Sequence, residues 1–175
     1  LDTCLRSLVA QTLTDREILI VDNGSDDNSV AFVQQHFATT VQLIGLPDNI
    51  GYAAALNRGI QSAHGCYIFV VNNDTEIAPD CLAALVATLE TDIQVGSCAP
   101  KIFSYTQRSV LDSTGMQFYP DGLGRGRGRL EHDSGQYDHA CDILFSSGCA
   151  MLLRRDMLVD ICLLYTSDAA DEKVR

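Results

Sequence analysis

Three short polar clusters carry residue types that could do chemistry: Asp22-Asn23-Gly24-Ser25, Asp48-Asn49-Ile50-Gly51 and Asn72-Asn73-Asp74-Thr75-Glu76. Each follows an apolar run. An ionised carboxylate only accepts hydrogen bonds, so Asp22 suits the imide N–H of a pyrimidine base. Asp74 offers oxygen to a hard divalent cation, which would neutralise a diphosphate. Asn49 and Gly51 stand where a helix begins, and free main-chain N–H groups there can meet phosphate or ribose. The same residue types open turns and cap helices, which accounts for each cluster singly but not for their shared composition.

What must position them is an alternation of strands and helices. Glu17 to Val21 reads as a buried strand that delivers Asp22. Ile68 to Val71 reads as a strand buried on both faces that delivers Asn72, Asn73 and Asp74 beyond the sheet. Ser25, Asp26 and Asp27 offer capping oxygens to a helix over about 28–36, with Val30, Val33 and Phe37 inward. Val41 to Ile44 is a strand, and Gly51 opens a small-residue helix to about Ala63. Pro79, in a first helical turn, starts a helix to about Glu90 with Leu82, Leu85, Val86 and Leu89 inward. Val95 to Ala99 closes the series as a strand. Leu1, Leu5, Leu8, Val9 and Leu13 follow helical spacing, and a strand is expected before them. This order predicts an α/β fold, a Rossmann-like and mostly parallel sheet with helices on both faces. Strand carboxyl ends then share one edge, so the three clusters are expected to converge where open α/β sheets bind ligands.

The formal net charge of -11 argues against a nucleic-acid or anionic-membrane surface, which needs clustered Lys and Arg. A phosphorylated ligand stays compatible, because a bound divalent cation supplies local positive charge. The seven cysteines have no CxxC or Cys/His ligand spacing, and Cys66, Cys81 and Cys98 fall in apolar periodic segments. They read as reduced core thiols of a cytoplasmic protein. No apolar run approaches the roughly 20 residues of a membrane helix.

The last third is less regular. Gly122 to Arg129, where Arg125, Arg127 and Arg129 alternate with glycine, reads as a flexible basic loop: either a solvated surface loop or a flap over a diphosphate or anionic acceptor. His132 and His139 lack a partner at metal spacing and read as surface or hydrogen-bonded histidines. Ile143 to Ser146 and Ala150 to Leu153 read as strand segments around a bend at Ser147-Gly148. Gly148 and Cys149 leave little bulk there, so a sugar or acceptor could approach the main chain; a tight structural bend explains the bend equally. Asp156 to Ile161 begins a helix.

Taken in order, Asp22 to Ser29, Asn49 to Ile60 and Asn72 to Glu76 resemble the successive signatures of glycosyltransferase family 2 over about residues 1 to 161. Ser147-Gly148-Cys149-Ala150-Met151-Leu152-Leu153-Arg154-Arg155 is similar to the acceptor-side segment of its rhamnosyltransferase-like branch. The resemblance implies a GT-A fold and an inverting enzyme of cell-wall or polysaccharide biosynthesis. It also implies a UDP- or dTDP-linked sugar donor, Mg2+ or Mn2+, and a glycan or lipid-linked acceptor. The expected setting is the cytoplasm or the inner face of the membrane, with peripheral association of the full-length parent. Position by position, Asp22 would contact the base, with Asn23, Gly24 and Ser25 on its loop. Asn49, Gly51 and Asn57 would shape the nucleotide pocket, Asn73 would join them, and Asp74 would be the metal-binding aspartate of a DXD-type motif. Ser147, Gly148 and Cys149 would face the acceptor. Residues 1–100 would form the nucleotide-binding half and residues 101–161 part of the acceptor half.

Two departures bear on this. Asn72 stands where many family members have Asp, which leaves metal binding mainly to Asp74, with Thr75 and Glu76 as helpers; Glu76 equally suits the amino end of the following helix through its dipole. Leu56 stands where many carry a basic residue and is assigned to packing. The carboxyl-terminal segment 162–175, which begins Cys162-Leu163-Leu164-Tyr165-Thr166-Ser167-Asp168, resembles the in-frame translation of a sequencing-library adapter. The catalytic base is expected beyond Ile161, so this chain would bind donor without transferring sugar. The alternative is a non-catalytic nucleotide-sugar-binding α/β module.

Overall fold

The structure, a computed structural model, describes residues 1–161. The segment expected to be adapter-derived, 162–175, lies outside the described residues. In chain order the elements are α1 (Asp2–Val9), β1 (Leu19–Asp22), α2 (Ser29–Phe37), β2 (Gln42–Gly45), α3 (Tyr52–Ser62), β3 (Tyr67–Val71) and α4 (Cys81–Glu90). There follow β4 (Ser97–Cys98), β5 (Ile102–Phe103), β6 (Leu111–Ser113), β7 (Met116–Phe118), β8 (Gly124–Gly126), β9 (Ala150–Arg154) and α5 (Arg155–Asp160). Among the described residues they form two units, one from Leu1–Leu13 with Phe69–Arg154, the other from Thr14–Ile68 with residues 155–161. The expected division near residue 100 follows binding role, whereas these units follow packing.

In the unit built around Thr14–Ile68 the expected alternation is present. β1 and β2 pair in parallel, with Leu19 opposite Gln42 and Asp22 opposite Gly45. The α2 spacing buries Val33 and Phe37 as anticipated. α3 lies close against β1, because a Cβ on Gly59 would come within 2.9 Å of Val21 Cγ2. Glu17 lies ahead of β1, not within it, and its carboxylate accepts from the main-chain N–H groups of His64 and Gly65. At the start of α5, Arg155 donates from its main-chain N to Cys66 O at 3.0 Å and from Nη1 to Gly65 O at 3.1 Å.

The unit built around Phe69–Arg154 departs from a parallel alternation. Its main sheet is ordered β3-β9-β4, and β4 runs antiparallel to β9, with Ser97 opposite Leu153 and Cys98 opposite Leu152. The segment Val95 to Ala99 is therefore not a parallel continuation: the parallel pairing described is that of β1 with β2, whereas β4 and β9 are antiparallel. β9 takes the centre because it is the more thoroughly apolar strand, with Ala150, Leu152 and Leu153 all buried. α4 buries Leu82, Leu85 and Leu89 as its spacing predicts. Pro79 is not in its first turn: Asp80 is the N-cap, and Pro79 O accepts from Thr12 N at 2.8 Å. Arg154 closes the other end of α4, donating to Leu89 O at 2.7 Å and to Val95 O at 3.2 Å, where helix carbonyls lack intrahelical partners.

Three further expectations are corrected. The basic stretch 122–129 carries β8, which pairs antiparallel with β7 in a hairpin, and is not a flexible loop. Arg125 is paired with Asp121 and stacked on Tyr119, and Arg127 is stacked on Tyr137 at 4.4 Å. Its glycine spacing has a packing cause at Gly126, where a Cβ would lie 2.8 Å from Asp112 O. Ile143 to Ser146 is not a strand and contributes only the isolated bridge between Phe145 and Met116. Cys66 and Cys141 are exposed, while Cys4 is buried and Cys81, Cys98 and Cys149 are half-buried.

Candidate functional site

The first two polar clusters form one latch. Asp22 ends β1, half-buried, and its Oδ2 accepts from Ser25 N at 3.3 Å, turning the loop back beside the carboxylate. Asn23 Nδ2 donates to Asn49 Oδ1 at 2.9 Å, and Asn23 Oδ1 accepts from Ile50 N at 2.9 Å. Asn49 Oδ1 also accepts from Gly51 N at 2.9 Å. The N–H groups of Ile50 and Gly51 are thus engaged by the two asparagines, contrary to the expectation that they stand free for phosphate. Gly24, at φ +77°, lets the two loops touch: a Cβ there would lie 2.8 Å from Asn49 N. Gly51, at φ +86°, is the N-cap of α3, in which Asn57 and Leu56 are half-buried.

The third cluster forms a turn after β3. Thr75 Oγ1 donates to Asn72 O at 2.8 Å and closes it. Asn73 and Asp74 at its tip are exposed, and the Asp74 carboxylate makes no hydrogen bond or ion pair among the described residues. Glu76 does not share that freedom: its Oε2 accepts from Arg108 Nη2 at 2.6 Å, and Arg108 lies over the Tyr105 ring at 4.8 Å. Among the described residues no group of three or more His, Cys, Asp or Glu could hold a metal. A cation at Asp74 would therefore need most of its oxygens from a ligand, as magnesium sites on substrate phosphates do. A single unpaired carboxylate at a strand end fits that arrangement.

The segment 147–155 lies against this turn. Asn72 N donates to Cys149 O at 2.9 Å, and Ser147 Oγ accepts from Cys149 N at 3.2 Å. Burial, then the charge of Asp74, then that of Asp112 push the Cys149 thiol up from its ordinary pKa. Gly148 is exposed, and a Cβ there would meet nothing within 4 Å. Next to it, Ser146 Oγ is buried without a hydrogen-bond partner among the described residues. The arginines that end the segment have scaffold roles, since Arg154 and Arg155 bond main-chain carbonyls. His132 and His139 are exposed.

Two groups escaped the sequence reading: Arg108, which engages Glu76, and the polar residues of α1, which bond the Asp74 segment. The second has one sequence signal: Gln11 continues the helical spacing of Cys4 and Ser7 just past the end of α1, and in the fold it is 3% exposed.

The fold is that of the GT-A glycosyltransferases. It is shared with the mannosyltransferase PcManGT from Pyrobaculum calidifontis in complex with GDP-Man and Mn2+, at 19% identity and a TM-score of 0.63 over 91% of this chain and 42% of that one. It is also shared with S. aureus TarS 1-349, at 19% identity and a TM-score of 0.66 over 94% and 46%. The chain belongs to glycosyl transferase family 2, whose profile matches residues 1–162. Among curated relatives, the uncharacterized glycosyltransferase YibD of Escherichia coli K12 is 37% identical over 135 residues, 71% of this chain and 39% of the relative. The putative glycosyltransferase EpsH of Bacillus subtilis is 33% identical over 122 residues, 68% and 35% respectively. The chain thus spans less than half the length of these relatives.

Proposed function

We propose that this chain is the donor-binding part of an inverting glycosyltransferase that moves a sugar from a nucleoside-diphosphate donor to a glycan or lipid-linked acceptor. The observation that carries the reading is the unpaired Asp74 carboxylate on a turn hydrogen-bonded through Asn72 to Cys149 of the acceptor-side segment. Family membership supports it. Asp74 would hold Mg2+ or Mn2+, which when bound neutralises the diphosphate as it departs. Asp22, with Asn23, Gly24 and Ser25, would take the base. Asn49, Gly51, Asn57 and Asn73 would complete the nucleotide site. Ser147, Gly148 and Cys149 would flank the acceptor.

Inverting transfer forms one bond from the acceptor oxygen to the anomeric carbon as the bond to diphosphate breaks, and a carboxylate removes the acceptor's proton. We place that base beyond Ile161, in a part of the relatives that this chain does not match. The 175-residue chain would then bind donor without turnover. The rhamnosyltransferase-like assignment rests on the motif 147–155, and the foreign origin proposed for 162–175 agrees with a family match that stops at residue 162. A lipid-linked acceptor would place the parent at the cytoplasmic membrane face; among the described residues no helix is long and apolar enough to cross a membrane.

Calorimetric titration with UDP, dTDP and GDP, each with Mn2+, tests the reading. One of them should bind the chain, and Asp74→Ala should remove the Mn2+ dependence. Unchanged affinity in that variant would dismiss Asp74 as the metal ligand. Sugar transfer by the 175-residue chain would dismiss the proposed place of the base.

A further inference from the structure

Between β3 and α4 the chain from Asn72 to Asp80 has neither strand nor helix, so its main-chain polar groups need partners elsewhere. One face of α1 and the residues just after it supply them, from Cys4, Ser7 and Gln11 at helical spacing. Cys4 Sγ donates to Asn72 O at 3.5 Å and lies 3.7 Å from Thr75 Oγ1. Ser7 Oγ accepts from Ile77 N at 3.1 Å and donates to Cys4 O at 2.8 Å. Gln11 Nε2 donates to Ala78 O at 2.8 Å, and its Oε1 accepts from Leu82 N at 3.0 Å. Cys4 and Gln11 are each 3% exposed, so these bonds are shielded and the loss of one strands a buried group. Asp74 sits between the anchored points, with Asn72 and Thr75 fixed before and after it and Ile77 fixed beyond.

We propose that Ser7 and Gln11 are positioning residues for Asp74: they hold the turn in the shape in which its carboxylate meets a metal-bound diphosphate, so that binding orders little new chain. The inference rests on the reading of Asp74 as metal ligand. Ser7→Ala removes the acceptor for Ile77 N. Gln11→Glu keeps the acceptor for Leu82 N and removes the donor to Ala78 O. Neither touches a candidate ligand.

The test is Mn2+ titration followed by electron paramagnetic resonance, on the 175-residue chain with the nucleoside diphosphate that binds it, alongside thermal melts. Ser7→Ala and Gln11→Glu should each bind Mn2+ about tenfold more weakly while folded, and Ser7→Thr, which keeps the hydroxyl, should stay within about twofold of wild type. Val33→Ala, a core change in the other unit, should lower the melting temperature and leave Mn2+ affinity unchanged. Folded Ser7→Ala that binds Mn2+ as wild type does would overturn the inference, whether or not Gln11→Glu folds. A wild-type chain that binds nucleotide but no Mn2+ would overturn the reading of Asp74 and this inference with it.

Discussion

Asn23 and Asn49 are bonded side chain to side chain, Nδ2 of the first donating to Oδ1 of the second across 2.9 Å. Each amide also takes a main-chain N–H of the loop 50–51. Residues that composition alone would assign to a nucleotide thus first serve each other. Their contribution to a ligand would be to hold the loop beside Asp22 in one shape before binding, which lowers the ordering cost of association.

Gly24 is where that latch is most sensitive. Its φ of +77° disfavours any Cβ, and an added one would meet Asn49 N and Asp48 C at 2.8 Å. Gly24→Ala should cost about 3 kcal/mol, from left-handed strain plus displaced main chain, read from urea unfolding midpoints. Nucleotide affinity measured on the remaining folded protein should fall as well.

Glu76 and Asp74 lie in one turn but should respond oppositely to neutralisation. Glu76 is engaged by Arg108 in an exposed pair that solvent screens, so Glu76→Gln should barely move the melting temperature, and less still at high salt. Mn2+ affinity should be unaltered in that variant. Asp74→Asn should lose Mn2+ binding with little change in melting temperature, because its carboxylate has no internal partner among the described residues.

Glu17 should shape the acid limb of stability. The His64 main-chain N–H, opposed by burial and helped by the His64 ring and the Gly65 N–H, holds its carboxyl below the ordinary 4.5. A depressed folded-state value means the stabilisation is complete above pH 4.5 and is lost as pH falls through the folded value. The advantage of wild type over Glu17→Gln, measured by urea unfolding, should therefore be constant near neutrality and shrink below pH 4.5. An advantage that persists undiminished at lower pH would contradict this account.

The cysteines should separate by reactivity. Burial, then the neighbouring Cys81, pushes the Cys98 thiol up to about 11, whereas Cys66 and Cys141 are exposed. At mildly alkaline pH, iodoacetamide should modify Cys66 and Cys141 more than about a hundredfold faster than Cys98, as followed by peptide mass spectrometry. Equal rates in the folded protein would show that Cys98 is open to solvent.

By itself the sequence determined the helices and strands from α1 to α4 and the strand ends at which polar clusters emerge. Val33 and Phe37 on α2, Leu82, Leu85 and Leu89 on α4, and Asp74 after β3 could be read because burial follows a period of a few residues and a strand's end is marked by its own composition. Only the tertiary structure decided what those elements pair with. No local period could announce that β9 enters between β3 and β4, that Arg154 caps α4, or that Ser7 and Gln11 bond the segment after Asp74. The partners in those side-chain bonds lie 65 to 70 positions apart in the chain. Such bonds satisfy buried main-chain groups wherever the fold leaves them unpaired, so they depend on how distant segments pack and not on which residues are neighbours in sequence.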